Sequence, residues 1–184
     1  MGHADRAWPL FPTCCKGGAA LSFMRFAPLT HLPKAALGVA KEILRHLLQR
    51  PVVGVLVAAQ TDDGRWLLIR RADTGHWALP GGTVEWGETL RATVLRELDE
   101  EAGVSQATLV EVTGVYSKPD RDPRFHAVSV VVSARIDPPS KQPKNPLEIL
   151  EARLFHEHEI PSGLSMQMDD IFAAARRGGR TELE

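Results

Sequence analysis

The segment from Gly82 to Val104, GTVEWGETLRATVLRELDEEAGV, constrains this chain more than any other. If the stretch after Trp86-Gly87 is helical, Glu97 and Glu101 stand at i,i+4 and Glu97 and Glu100 at i,i+3. All three carboxylates then project from neighbouring positions on one face. Leu90, Val94 and Leu98 recur every fourth residue on another face, which predicts burial there. Gly103 follows the periodic run, where a left-handed C-cap is expected. Crowded carboxylates repel, so something must compensate them. One answer is a solvated acidic face with Arg96 as local counter-ion. The sharper one is a hard divalent cation, because Mg2+ takes oxygen ligands and bridges a few carboxylates to substrate phosphates.

At 184 residues and a formal net charge of −1, the chain suits one ordinary globular domain with some additional chain. A hydrophobic content of 43% against 24% charged residues is enough for a core. The near-neutral balance gives no general reason to expect nucleic acid or a membrane surface as partner, so phosphate binding has to be local. Cys14 and Cys15 are the only cysteines and are adjacent, which rules out a disulfide scaffold and makes the cytoplasm the simplest compartment. No stretch reaches the roughly 18 apolar residues of a membrane helix.

Residues 1–33 lack periodicity and carry Pro9, Pro12, Pro28 and Pro33, which reads as a flexible leader or as an over-extended start with Met24 as initiator. Arg25 interrupts the only apolar run there, a poor fit to a secretory signal. Residues 34–50 read as an amphipathic helix stopped by Pro51, with Ala36, Ala40, Ile43 and Leu47 on one face. It suits packing on its own domain; a homodimer through this helix or a membrane-surface helix is the alternative, the latter with few positive charges for a lipid anchor. Val52–Ala59 and Arg65–Arg71 flank the turn Thr61-Asp62-Asp63-Gly64 and predict a hairpin. Trp77–Gly82 is a short extended piece whose glycines allow backbone to approach a ligand. Thr108–Tyr116, Phe125–Ile136 and Glu151–Phe155 read as strands, residues 137–147 as a mobile Pro- and Lys-rich loop, Ser165–Arg177 as a closing helix and 178–184 as a tail.

The acidic segment resembles the signature of the Nudix hydrolases: Gly, five residues, Glu, seven residues, Arg-Glu, an aliphatic, any residue, Glu-Glu, any residue, Gly, an aliphatic. Gly82, Glu88, Arg96, Glu97, Leu98, Glu100, Glu101, Gly103 and Val104 fill it without departure. A chance match in such a chain is on the order of 10^-7 at ordinary residue frequencies. The resemblance implies an α/β fold, an α/β/α sandwich with a mixed β-sheet, here over residues 51–177 with an extra N-terminal helix. It also implies hydrolysis of a nucleoside diphosphate linked to another group, with Mg2+ (or Mn2+) as cofactor. Carried over by position, Glu97, Glu100, Glu101 and the carbonyl of Gly81 would be metal ligands. Arg96 would orient the carboxylates, and Glu88 would act from behind them or through water. Arg96 and Glu88 pairing with each other is the structural alternative. Glu101 is a candidate general base, and Glu148 and Glu151, beyond the Pro-Lys loop, are candidates outside the signature.

The segment Tyr116–Arg124, YSKPDRDPR, resembles the corresponding loop of family members that act on ADP-ribose and nucleoside diphosphate sugars. Arg121 and Arg124 suit a phosphate or ribose and Asp120 and Asp122 suit hydroxyls, unless the loop is a self-paired turn. Arg70 and Arg71 are further phosphate candidates, although adjacent strand residues face opposite ways. Trp66, Trp77 and Trp86 are packing residues before they are base-stacking ones. His156 and His158 lack the partners of a zinc site. The favoured partner is a small nucleotide, ADP-ribose or a nucleoside diphosphate sugar, cleaved to a nucleoside monophosphate and a sugar phosphate. A nucleoside triphosphate, dinucleoside polyphosphate or RNA-cap pyrophosphohydrolase is the alternative. A nucleotide-sensing module without catalysis is the rival of another class.

Overall fold

The structure is a computed structural model and describes residues 34–48 and 50–184. The expected leader over residues 1–33, with Met24, Cys14 and Cys15, lies outside the described residues. Lys34–Leu48 forms helix α1, where the apolar periodicity placed it.

From Val52 onward the chain builds eight strands and two further helices. The strands are β1 (Val52–Gln60), β2 (Trp66–Arg71), β3 (Trp77–Ala78), β4 (Gly81–Thr83), β5 (Ala107–Tyr116), β6 (Ala127–Ile136), β7 (Ile149–Phe155) and β8 (Glu182–Leu183). Helix α2 (Leu90–Ala102) follows β4, and α3 (Met168–Arg177) follows β7. One mixed sheet runs β3-β2-β1-β6-β5-β8, with β4 paired to β1 and β7 to β2. β1 and β6 are parallel from Val52↔Ala127 to Gln60↔Arg135.

Val55 to Ala59 is buried without a break, the mark of a strand covered on both faces. Val94 of α2 lines a groove with Val130 and Val132, the ladder partners of Val55 and Val57. Ala173 and Ala175 of α3 line a groove with Ala58 and Gln60, which point the other way. The two helices therefore cover opposite faces, the sandwich that the resemblance implies.

The structure corrects several local expectations. The β1–β2 hairpin exists only at its neck, Gln60↔Trp66, because β1 takes β4 and β6 as partners and β2 takes β3 and β7. Leu90 is 40% exposed, on the rim of a groove it shares with Val110 and Val112, while Val94 and Leu98 are fully buried. The buried side of α2 also includes Thr93, Glu97 and Glu101, so its oily and acidic faces overlap. The closing helix breaks at Met166 and Gln167, both left-handed with φ of 56° and 54°. The segment 178–184 is not a loose tail, since Glu182 and Leu183 pair in parallel with Gly114 and Val115. Residues 137–147 are irregular yet tied to α2, with Ser140 N donating to Gly103 O and Lys144 N to Glu100 O. Among the described residues no helix is long and apolar enough to cross a membrane.

Candidate active site

Helix α2 starts at Thr89, whose hydroxyl accepts from Ala92 N, and stops at Gly103 with φ 64° and ψ 27°. Between these caps its acidic residues face β4, which delivers Gly81 and Gly82. A Cβ at Gly82 would overlap the Glu97 carboxylate, and one at Gly81 would overlap the Val55 carbonyl oxygen. Two glycines are needed here for close approach, and they bring a backbone strand against the carboxylates.

Arg96 is the hub. Its Nε donates to Glu88 Oε1 at 2.8 Å and its Nη2 to Glu88 Oε2 at 3.0 Å, a bidentate pair. Its Nη1 reaches Glu97 Oε1 at 2.8 Å and Glu100 Oε2 at 3.3 Å, and Nη2 reaches Thr83 O at 3.2 Å. Glu88 also accepts from Thr93 Oγ1 and Glu85 N. These bonds, the Arg96 pair first, hold its carboxyl down at about 2. Glu88 thus spends both oxygens on holding Arg96 and its own loop.

Glu97 and Glu101 are buried, at 9% and 7% exposure, and Glu101 Oε2 accepts from Gly81 N at 2.7 Å. Burial raises the Glu97 carboxyl against the pull of Arg96. Burial also pushes Glu101 from 4.5 up to about 8; the Gly81 amide and Arg71 oppose that rise, and Glu97 and Glu148 add to it. Because the folded state then holds this proton more tightly than the unfolded chain, the stabilisation is complete below pH 4.5 and is lost as pH climbs towards 8. In chelator, unfolding free energy should therefore fall across this range by up to about 1.4 kcal/mol per pH unit. Denaturant titrations at several pH values should give a shallower slope for Glu101→Gln; equal slopes would show that Glu101 is not the group responsible.

Two buried carboxylates and a half-exposed third are a hard-oxygen donor set. Among the described residues no three His, Cys, Asp or Glu side chains are grouped so that they could hold a metal ion. Arg96 Nη1 stands between Glu97 Oε1 and Glu100 Oε2. An open set still fits Mg2+, which usually takes one or two carboxylates and completes its shell with water and substrate phosphate.

Glu97 and Glu101 line a cavity of about 260 Å3. Arg71, Arg124 and Glu148 line it as well, as do Tyr116, Phe125, Met166, Met168 and Ile171, whose side chains are aromatic or apolar. Of the paired candidates, Arg71 faces in with its side chain 12% exposed, whereas Arg70 is 46% exposed. Arg70 pairs with Glu151 at 3.5 Å, and neither lines the cavity. Arg71 is held by Asp73 at 2.9 and 2.7 Å, and Arg124 by Asp122 at 2.9 and 2.7 Å. Arg121 lines the cavity but spends its guanidinium on Asp170, Glu184 and the Gln167 carbonyl. Asp120 is exposed and outside the cavity, its carbonyl taking Gln167 Nε2. Within the 116–124 segment Arg124 pairs with Asp122, whereas Lys118 and Arg121 find their carboxylates outside it, in Glu184 and Asp170.

Glu148 enters because Ala72 N donates to its carbonyl and Asn145 Nδ2 to its Oε2. Lys141 and Lys144 pin the preceding loop to Asp99 of α2, at 3.4 and 2.7 Å. Trp66 and Trp77 pack edge-on against Phe172 and Phe155, and Trp86 is fully exposed; none lines the cavity. His126 Nε2 bonds Ser117 O at 2.8 Å, a structural role. Sequence reasoning did not find Phe125, Met166, Met168 or Ile171 as cavity residues, since nothing local marks an apolar side chain as facing a cavity rather than the core.

A sheet between two helices, with a Gly-Gly strand pressed on an Arg-Glu-x-x-Glu-Glu helix, defines a Nudix fold and site. The NUDIX domain family model matches residues 48–175, and the chain belongs to the Nudix family. It is 49% identical over 72 residues to an ADP-ribose pyrophosphatase of Methanocaldococcus jannaschii, covering 38% of this chain and 42% of that protein. A MutT-like protein of Streptomyces ambofaciens is 49% identical over 70 residues, covering 38% and 43%. The matches span under half the length of these curated relatives. Among solved structures, a NUDIX hydrolase from Nitrosomonas europaea superposes with a TM-score of 0.61 at 28% identity, over 74% of this chain and 80% of that one. An ADP-ribose pyrophosphatase from Streptococcus suis gives 0.60 at 24% identity, over 73% and 100%, a likeness of fold.

Proposed function

We propose that this protein is a Mg2+-dependent pyrophosphohydrolase of nucleoside diphosphate derivatives, with ADP-ribose or a nucleoside diphosphate sugar as substrate. The observation that carries this reading is one cavity lined by buried carboxylates, by Arg71 and Arg124, and by apolar and aromatic side chains. These three kinds of side chain suit, respectively, a metal-bridged diphosphate, its remaining charge and a flat nucleoside. Similarity over 72 residues to a protein named ADP-ribose pyrophosphatase supports the choice of substrate.

Glu97, Glu100, Glu101 and the Gly81 carbonyl would hold the metal, which neutralises phosphate charge and acidifies bound water. Arg96 keeps Glu97 and Glu100 in place from behind. Arg71 and Arg124, each pre-oriented by an aspartate, grip diphosphate oxygens. Glu101 and Glu148 are the two candidates to accept the proton of the attacking water, and Glu148 takes precedence over Glu151, which is turned to Arg70. Water adds to one phosphorus, the bridging P–O bond breaks, and two monophosphates leave. Residues beyond the acidic helix choose the substrate.

With ADP-ribose and Mg2+ the expected products are AMP and ribose phosphate, resolved by chromatography. Release of inorganic pyrophosphate from nucleoside triphosphates, with ADP-ribose untouched, would assign the protein to the triphosphatase branch instead. Tight binding of ADP-ribose in calorimetry without any AMP would assign it a sensing role.

A further inference from the structure

The strand β8 belongs to no part of the acidic signature, yet its side chains reach the cavity wall. Residues two apart on a strand point the same way, so Glu182 and Glu184 face together while Leu183 turns outward at 84% exposure. Glu182 Oε2 accepts the Tyr116 hydroxyl at 3.1 Å. Glu184 is more heavily committed. It accepts Ser117 N at 3.0 Å and Lys118 N at 2.9 Å, pairs with Lys118 Nζ at 3.1 Å, and takes both Nε and Nη2 of Arg121. Tyr116 and Arg121 both line the cavity, and the guanidinium lies 5.2 Å from the Tyr116 ring centroid.

Arg121 carries the connection further. Its Nη1 donates to the Gln167 carbonyl at 2.8 Å and to Asp170 at 3.0 Å. Gln167 and Met166 are the two non-glycine residues with positive φ among the described residues. Such a turn is costly and persists where its surroundings hold it. It presents Met166 to the cavity, with the sulfur 3.8 Å from Arg124 Nη2.

We propose that Glu184 is a specificity-positioning residue: through Arg121 it holds the 117–121 loop and the strained Met166–Gln167 turn as one wall of the substrate cavity. Arg121 is then a strut and not a phosphate ligand, because Asp170 and Glu184 already take up its charge. Glu184 and Arg121 bond Ser117, Lys118, Gln167 and Asp170 and not Glu97 or Glu101, so the wall governs substrate grip and not bond breaking. This inference rests on the cavity being the nucleotide site.

The test compares the full chain with Glu184→Gln and with a variant ending at Arg180, using ADP-ribose kinetics and hydrogen exchange. Both variants should raise KM about tenfold with kcat within about twofold of the parent. Amide exchange should accelerate at 117–118 and also at 164–168, which Glu184 does not touch. Glu184→Asp, keeping the charge, should recover part of the KM. An unchanged KM, a lower KM, or a fall in kcat at constant KM would overturn the proposal; a lower KM would mean that the acid sequesters a phosphate-binding arginine. If the shorter variant does not fold, Glu184→Gln decides alone. If the parent hydrolyses no nucleoside diphosphate derivative, the reading of the site fails, and exchange at 164–168 alone judges the strut: acceleration upholds it and parental rates overturn it.

Discussion

Glu101→Gln should lower kcat by a factor on the order of 10^3 or more and leave the fold intact. Glutamine keeps the shape and an oxygen able to accept the Gly81 amide, so the packing between α2 and β4 survives. What it removes is a negative charge from the cavity lining, where Glu101 is 7% exposed. A buried carboxylate held up at about 8 is poorly stabilised by the protein alone, so ionising it calls for a cation or a proton acceptor's role. Glu100→Gln should follow the same course, although that side chain is 42% exposed and also faces Lys144 at 3.7 Å. Steady-state turnover with Mg2+, beside melting curves in chelator, separates chemistry from folding. Wild-type turnover in both variants would remove the metal assignment.

Alanine at the two glycines of β4 should have opposite characters. At Gly81 the new Cβ would meet the Val55 carbonyl oxygen and Cα of Leu56, backbone atoms of the central strand that cannot move aside. Gly81→Ala should therefore destabilise the protein by about 3 kcal/mol or more, seen as a fall in the denaturant midpoint. At Gly82 the Cβ would meet the far end of the Glu97 side chain. Displacing that carboxylate breaks its 2.8 Å bond to Arg96. Gly82→Ala should keep most of the stability and lose turnover by about 10^2-fold or more. A Gly82→Ala protein that is fully active would show that Glu97 need not occupy its present position; a Gly81→Ala protein of parental stability would contradict the tight β1–β4 approach.

Helix α2 was legible because its determinants are local. The Val94 and Leu98 spacing and the αL glycine at 103 act within a few residues of chain, and both are found in the structure. The acidic constellation was legible for the same reason, since one helix carries Arg96, Glu97, Glu100 and Glu101. Leu90 was misread because its burial depends on how far the sheet extends beneath the first turn, and helical spacing does not contain that. The β1–β2 hairpin was read from a sound turn. The competing partner of β1, however, is β6, more than sixty residues on, and ladder energy outweighs local adjacency.

The cavity belongs to the tertiary structure. Arg70 and Arg71 are indistinguishable neighbours in the chain, and only the pairing of β2 with β7 turns Arg70 towards Glu151 and Arg71 inward. The same pairing leaves Glu148, just before β7, facing the carboxylates. Arg121 read as a ligand for phosphate or ribose until the segment ending in β8 set Glu184 against it, a contact between residues 63 apart. By itself, then, the sequence determined the chemistry of one helix and its glycine platform, because side-chain spacing on a helix is fixed by backbone geometry. Which other side chains surround that helix, and so what substrate fits, was decided only when strands distant in sequence paired, because sheet partners are chosen by burial and register over the whole domain.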